Sequence, residues 1–318
     1  MVEKKTYDTP ILLLTFNRPK NVEKQIEILT KIRPKYLFLF SDGPRKNKKS
    51  DIYKVSQSRE LLNNKIDWEC SVQRKFENNN LGCGKGVSSA ITWFFLNVNE
   101  GLIIEDDCLL SLSFFDFAEE MLFKYRNNYS IAGITADYRL SSTNSSDYGL
   151  IPFPLIWGWA TWKRSWDGYS FNLKQYRNQV LPHIIDSKPK NQRIFWKNNF
   201  DKIYNSKKPF TWDFQFSYLV FSKGQSFIHP FTNLVTNIGF DIEATHTKTD
   251  SEFANKKVGK ILKPYIQNFA SNEYSNYLSK NVFVKQNYLQ KIIIKLKVYF
   301  KKYIIKNFKK ISLKIKNF

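Results

Sequence analysis

Residues 101–109 read GLIIEDDCL: a glycine and three apolar residues run directly into Glu105, Asp106 and Asp107. Leu102, Ile103 and Ile104 form a short, continuous apolar run, the pattern of a strand covered on both faces. The formal net charge of the chain is +22, from 50 Lys+Arg against 28 Asp+Glu, so three adjacent carboxylates at the end of a buried strand need a reason. Side chains alternate along an extended strand, which sends Glu105 and Asp107 to one side and Asp106 to the other. Two readings stand: a solvated acidic turn, or oxygen ligands for Mg²⁺ or Mn²⁺.

Upstream, ILLLTF (11–16) and YLFLF (36–40) are two more continuous apolar runs. Between them, RPKNVEKQIEILTKI places Val22, Ile26 and Leu29 at helical spacing, and Pro19 suits the first turn of a helix. A polar helix to about Asn64, a strand near 68–76, a glycine-rich turn LGCGKG and a helix VSSAITWFFLNV lead up to residue 101. The helix SFFDFAEEMLFKY follows it. Strands alternating with helices predict a doubly wound, mainly parallel α/β sheet, in which ligands bind outside the carboxyl ends of the strands. NRP after the first strand, SDGP after the second and EDD after the fourth are then expected along one edge.

From about residue 150 the pattern changes. IPFPLIWGWATWKRSW (151–166) holds Trp157, Trp159, Trp162 and Trp166, and helical stretches follow at 188–206 and 213–223, then strand-like SFIHP and NLVTNIGF. This half is expected to pack on the first and to build the acceptor side of a cleft, with Trp159 and Trp212 as its aromatic surface. In PFTWDFQFS (209–217) Asp213 can serve as a general base on a sugar hydroxyl beside a stacking Trp212, or simply as a helix N-cap. His246, one of three histidines, is either structural or a phosphate or metal contact. The segment NLGCGKG departs from the P-loop, with Asn79 and Gly86 at two of its fixed positions, which leaves a tight turn or a loop that cradles phosphate.

With 42% hydrophobic and 16% aromatic residues, the sequence is one that folds. Cys70, Cys83 and Cys108 have no C-x-x-C spacing, which points away from a disulfide framework or zinc site and towards a reducing compartment. The first ten residues carry no apolar leader, and no uninterrupted apolar run approaches the roughly 18 residues that a transmembrane helix needs. Residues 285–318 contain eleven Lys and no Asp or Glu, with Leu289, Ile293, Leu296, Phe300, Ile304, Phe308, Ile311 and Ile315 at helical steps. An amphipathic helix of this kind suits an anionic membrane surface, or docks on the body of its own protein. The expected organisation is a domain over 1–265, with a nucleotide-binding half (1–135) and an acceptor-side half (136–265), then a basic tail over 266–318. A cytoplasmic protein, peripheral on the inner face of the cell membrane, follows. Nucleic acid is not an expected partner, because no RNP, zinc-finger or helix-turn-helix signature accompanies the basic charge.

Taken together, LLLTFNRP, FLFSDGP, LIIEDDCLLSLSFFDF, IWGWATW, PFTWDF and GQSFIHPFTNLVTNIGFDIEATHT, spread over roughly residues 10 to 250, resemble glycosyltransferases of the GT-A fold. The resemblance is nearest to the group around N-acetylglucosaminyltransferase I and to bacterial HlpA-like nucleotide-diphospho-sugar transferases. It implies a metal-dependent, inverting transfer of sugar from a nucleotide-diphosphate donor, first of all a UDP-sugar such as UDP-GlcNAc, to a glycan or lipid-linked glycan of cell-surface polysaccharide synthesis. It further implies that Arg18 and Asp42 contact the nucleotide, Asp42 at the uracil ring, and that Glu105 and Asp106 lie near sugar and ribose. Asp107 is implied as the direct ligand of Mn²⁺ or Mg²⁺, Asp213 as the catalytic base, and His246 as a neighbour of the diphosphate. Phe214 departs from the family, which often has a second acidic residue there. A nucleotidyltransferase of the same α/β class would share the sheet and the metal but not the Trp-Asp acceptor block.

Overall fold

The computed structural model describes residues 6–141, 143–239, 255–268 and 272–283. Its larger sheet contains β1 (Ile11–Thr15), β2 (Tyr36–Ser41), β3 (Ser71–Phe76), β4 (Glu100–Glu105), β6 (Ile131–Thr135), β7 (Ser145–Ile151), β8 (Trp159–Trp162), β9 (Ser226–Pro230) and β11 (Ile261–Gln267). The spatial order is β11-β7-β9-β6-β8-β4-β1-β2-β3, and β5 (Cys108–Leu110) pairs separately with β10 (Val235–Asn237). Strands β3, β2, β1 and β4 run parallel, as the strand–helix alternation predicts. The second half is mixed: β8 lies antiparallel to both β4 and β6, and β7 antiparallel to β9. The whole is an α/β fold built on a large, mostly parallel mixed sheet.

Alternation along the central strands divides the core into two layers. Leu12, Leu14, Phe38 and Phe40 pack on one face beneath α3 (Gly82–Asn97) and α8 (Asp213–Ser222), against Phe94 and Phe216. Ile11, Leu13, Leu37 and Leu39 pack on the other, against α1 (Pro19–Ile32) and α4 (Leu112–Lys124), through Val22, Leu29, Phe117 and Met121. Burial on both faces is why these strands read as unbroken apolar runs. Helix α2 (Lys49–Asn64) follows β2, while α5 (Lys163–Trp166), α6 (His183–Asp186) and α7 (Lys190–Tyr204) belong to the second half. Tyr176, Trp196, Phe200 and Phe221 extend the first core layer there.

Two elements of the fold lie across and beyond residue 265, where the body was expected to end. Strand β11 runs on to Gln267 at the sheet edge, and α9 (Asn272–Asn281) buries Tyr274 and Leu278 in the main core. The Tyr274 hydroxyl accepts the Arg139 N–H at 3.2 Å, which ties α9 to the loop after β6. The lysine-rich stretch 285–318 lies outside the described residues. Among the described residues no helix is long and apolar enough to cross a membrane, and all three cysteines are free thiols.

Candidate active site

The register of the parallel strands sets the position of the cleft. Leu14 pairs with Glu105 and Thr15 with Ser41, so β1, β2 and β4 stop at one level. The sheet order reverses at β1, with β2 on one side and β4 on the other, and this is the topological switch point where open α/β sheets bind ligands. A cavity of about 270 Å³ opens there, lined by Arg18, Asp42, Glu105, Asp106, Asp107 and Trp157 among others. The three polar clusters read from the sequence therefore do meet at one edge.

The acidic stretch does not follow strand alternation to its end. Strand β4 stops at Glu105, and Asp106 and Asp107 turn the chain into β5. The expected separation of Asp106 from Asp107 gives way to a shared partner: Arg18 Nη1 donates to Asp106 Oδ1 at 3.1 Å and to Asp107 Oδ2 at 2.8 Å. Asp106 Oδ2 also accepts the Phe16 N–H at 3.2 Å. Arg18 stands at the N-cap of α1, directly before Pro19, so the helix that follows β1 delivers the guanidinium to the end of β4. Gly239 also lines the cleft, and Asp107 leaves no room for a side chain there: a Cβ would lie 2.2 Å from Asp107 Oδ2. Ile238 N–H donates to the Asp107 carbonyl at 2.8 Å, so the segment after β10 is tied to the main chain of this residue.

Electrostatics single out the same place. Burial pushes the Glu105 carboxyl up to about 8, and the charges of Asp107, Asp106 and Asp213 add to the shift while Arg18 opposes it. Burial likewise raises Asp106 to about 6, against the pull of Arg18. Burial disfavours the charge on Arg18, but Asp106 and Asp107 outweigh it and raise its pKa. One guanidinium thus serves three carboxyls, and the site is short of positive charge. Among the described residues no group of three or more His, Cys, Asp or Glu side chains is arranged to hold a metal ion. A divalent cation at Asp107 fits if water and phosphate oxygens complete its shell, as they do for Mg²⁺ and commonly for Mn²⁺.

Asp42 lines the cleft, but protein donors occupy its carboxylate. Its Oδ1 accepts the N–H groups of Gly43 and Leu81, both at 2.8 Å, and its Oδ2 accepts Asn80 Nδ2 at 2.9 Å and the Gly82 N–H at 3.1 Å. A carboxylate offers about four acceptor positions, and protein donors fill them. Asp42 therefore shapes the cleft by clamping the start of α3, and a direct contact to a base would displace one of these bonds. The segment LGCGKG is itself the first turn of α3 and not a loop before it. Arg45, absent from the sequence reading, lines the same wall. It donates to fully buried Asp51 through Nε at 2.5 Å and Nη2 at 2.9 Å, while Asn17 Nδ2 donates to the same carboxylate at 2.8 Å.

On the far side, Asp213 opens α8 with Trp212 at the N-cap, so the N-cap reading of Asp213 does not hold. The Thr211 hydroxyl donates to its carboxylate. Asp213 is half-buried and near enough to Glu105 and Cys83 for its charge to raise both of their pKa values. The two acceptor tryptophans are corrected: Trp159 and Trp212 are 1% and 2% exposed and stack on each other at 5.9 Å, so their rings form core and not a sugar platform. The tryptophan that does line the cleft is Trp157, backed by the Arg139 guanidinium 4.9 Å from its ring centre. Buried Asp137 holds Arg139 at 2.8 Å. The sequence signal was the same aromatic run, but which of its tryptophans faces the cleft depends on packing that spacing does not reveal. His246 lies outside the described residues.

No protein-family model matches the chain, and no curated protein matches it. Among solved structures, HddC from Yersinia pseudotuberculosis is similar over 49% of this chain and 78% of that chain, with 13% identity and a TM-score of 0.29. A likeness of that degree carries no argument about activity.

Proposed function

We propose that the protein is a GT-A-type glycosyltransferase that binds a nucleotide-diphosphate sugar, first of all a UDP-sugar, in this cleft and transfers the sugar with inversion to a hydroxyl of a glycan or lipid-linked glycan. The observation that carries the reading is the convergence of Glu105, Asp106, Asp107 and Arg18 at the switch point of the parallel strands, with Asp213 close by on the other half. Asp107 would hold Mn²⁺ or Mg²⁺, which when bound supplies positive charge to the diphosphate leaving group. Arg18 is placed to exchange one of its carboxylate contacts for a phosphate oxygen. Asp213 takes the proton of the acceptor hydroxyl as its oxygen bonds to the anomeric carbon and the bond from that carbon to the diphosphate breaks. The lysine-rich stretch 285–318 is proposed to bring this chemistry to an anionic membrane surface.

A nucleotidyltransferase reading would use the same strand ends but gives Asp213 nothing to do. Release of UDP from a panel of UDP-sugars with Mn²⁺, in the presence of glycan acceptors, separates the two. Asp213→Asn is expected to bind donor as the wild type does and to turn over roughly 10²- to 10⁴-fold more slowly, the usual share of a general base. Full turnover by that variant would remove Asp213 from the mechanism.

A further inference from the structure

Helix α3 touches both halves of the site. Its first turn lines the cleft through Gly82, Cys83 and Gly86. One residue along, Gly84 presses against the strand of chain that leads to Asp213: a Cβ at Gly84 would lie 2.9 Å from the Phe210 carbonyl carbon and 2.9 Å from the Thr211 oxygen. Those are backbone atoms, so a side chain there moves the segment.

A second link runs through Tyr169. Its hydroxyl donates to the carbonyl of Trp212, the residue before Asp213, at 3.1 Å. Ser88 of α3 lies near the same hydroxyl, and its own hydroxyl donates to the Gly84 carbonyl at 2.8 Å. The Tyr169 ring stacks on Trp166 at 4.0 Å and an interplanar angle of 10°, and Trp166 Nε1 donates to Thr92 of α3 at 3.0 Å. Burial raises the Tyr169 pKa, so the hydroxyl keeps its proton and remains a donor at neutral pH. From the third side, Gln215 Nε2 donates to the Thr211 carbonyl at 2.7 Å and to the Phe171 carbonyl at 3.0 Å.

We propose that Tyr169, together with Gly84, is a positioning residue for Asp213: the pair fixes the 211–213 turn to the helix that lines the donor cleft, so that the carboxylate stands at a set place relative to a bound donor. This rests on the reading of Asp213 as the base. A misplacement of about 1 Å at a reacting group can cost roughly 10²-fold in rate, which sets the scale of effect to expect.

Tyr169→Phe in the full chain keeps the stack on Trp166 and removes only the hydroxyl, and Gly84→Ala tests the backbone contact separately. Hydrogen exchange at the amides of 211–216 is expected to be faster in Tyr169→Phe than in the wild type, with UDP affinity in Mn²⁺ unchanged. In the transfer assay kcat is expected to fall roughly 10- to 100-fold at an unaltered donor KM. Packing alone predicts a Phe variant like the wild type in both respects. Unchanged exchange at 211–216 overturns the proposal, and so does a wild-type kcat in Tyr169→Phe when Asp213→Asn is inactive. If Asp213→Asn turns over normally, it is the base assignment that fails, and the exchange measurement still decides whether Tyr169 holds the turn.

Discussion

Glu105 is the residue on which the charge imbalance of the cleft can be read directly. In an unfolded chain its carboxyl ionises at about pH 4.3, whereas in the fold burial and the neighbouring Asp107 and Asp106 hold it protonated up to about 8. Between those values the native state binds the extra proton, so stability falls as pH rises through that window. The melting temperature of the metal-free protein is therefore expected to decline from about pH 5 to about pH 8, and Glu105→Gln, which carries no titrating proton, should flatten that decline. Equal slopes in wild type and variant would show that Glu105 is not the group responsible. The same residue bears on why a basic protein carries an acidic cluster. A buried strand end with three carboxyls and one arginine is electrostatically incomplete, and the incompleteness suits a ligand that arrives with a cation.

Several elements were legible because their physics is local. Continuous apolar runs gave β1, β2 and β4, and Val22, Ile26 and Leu29 at helical spacing gave α1. Alternation failed at Asp106 because the strand ends one residue earlier, and strand ends depend on what the next segment pairs with, here β5 on distant β10. The antiparallel insertion of β8 between β4 and β6 could not be read from periodicity, since a strand buried on both faces looks alike in either direction. The β10 end makes a prediction of its own. Gly239→Ala should drive the Asp107 carboxylate off its place, because the added carbon would meet Asp107 Oδ2 at 2.2 Å. If Asp107 holds the metal as proposed, displacing it should weaken Mn²⁺ titration in the presence of UDP by at least the roughly 10- to 100-fold that loss of an outer-shell partner costs. A Gly239→Ala protein that takes Mn²⁺ as the wild type does would mean that the placing of the Asp107 carboxylate does not set the affinity for the metal.

At the scale of the whole molecule, the two halves share one sheet, and the site lies where they meet. Arg18, Asp42 and the three acids come from the parallel half, Trp157 and Asp213 from the mixed half, and α3 spans between them through Gly84 and the cleft-lining first turn. The motifs of the parallel half could be put at one sheet edge from sequence because each follows a strand of known direction, whereas the partners of Asp42 and Asp106, and the presence of Arg45, depend on tertiary packing. Sequence misassigned Trp159 and Trp212 because an aromatic cluster packs inward or outward according to its tertiary neighbours, and here Trp166, Phe216 and Phe227 enclose it. The central claim is that Asp107 and its neighbours form a metal-dependent nucleotide-sugar site, and thermal unfolding with UDP-sugars, with and without Mn²⁺, addresses it most directly. A donor present at a hundred times its Kd stabilises by about 2.7 kcal/mol. The account predicts that stabilisation in wild type only when Mn²⁺ or Mg²⁺ is added, and its loss in Asp107→Ala. Absence of stabilisation by any nucleotide sugar with either metal, or an equal and metal-independent shift in wild type and Asp107→Ala, would contradict it.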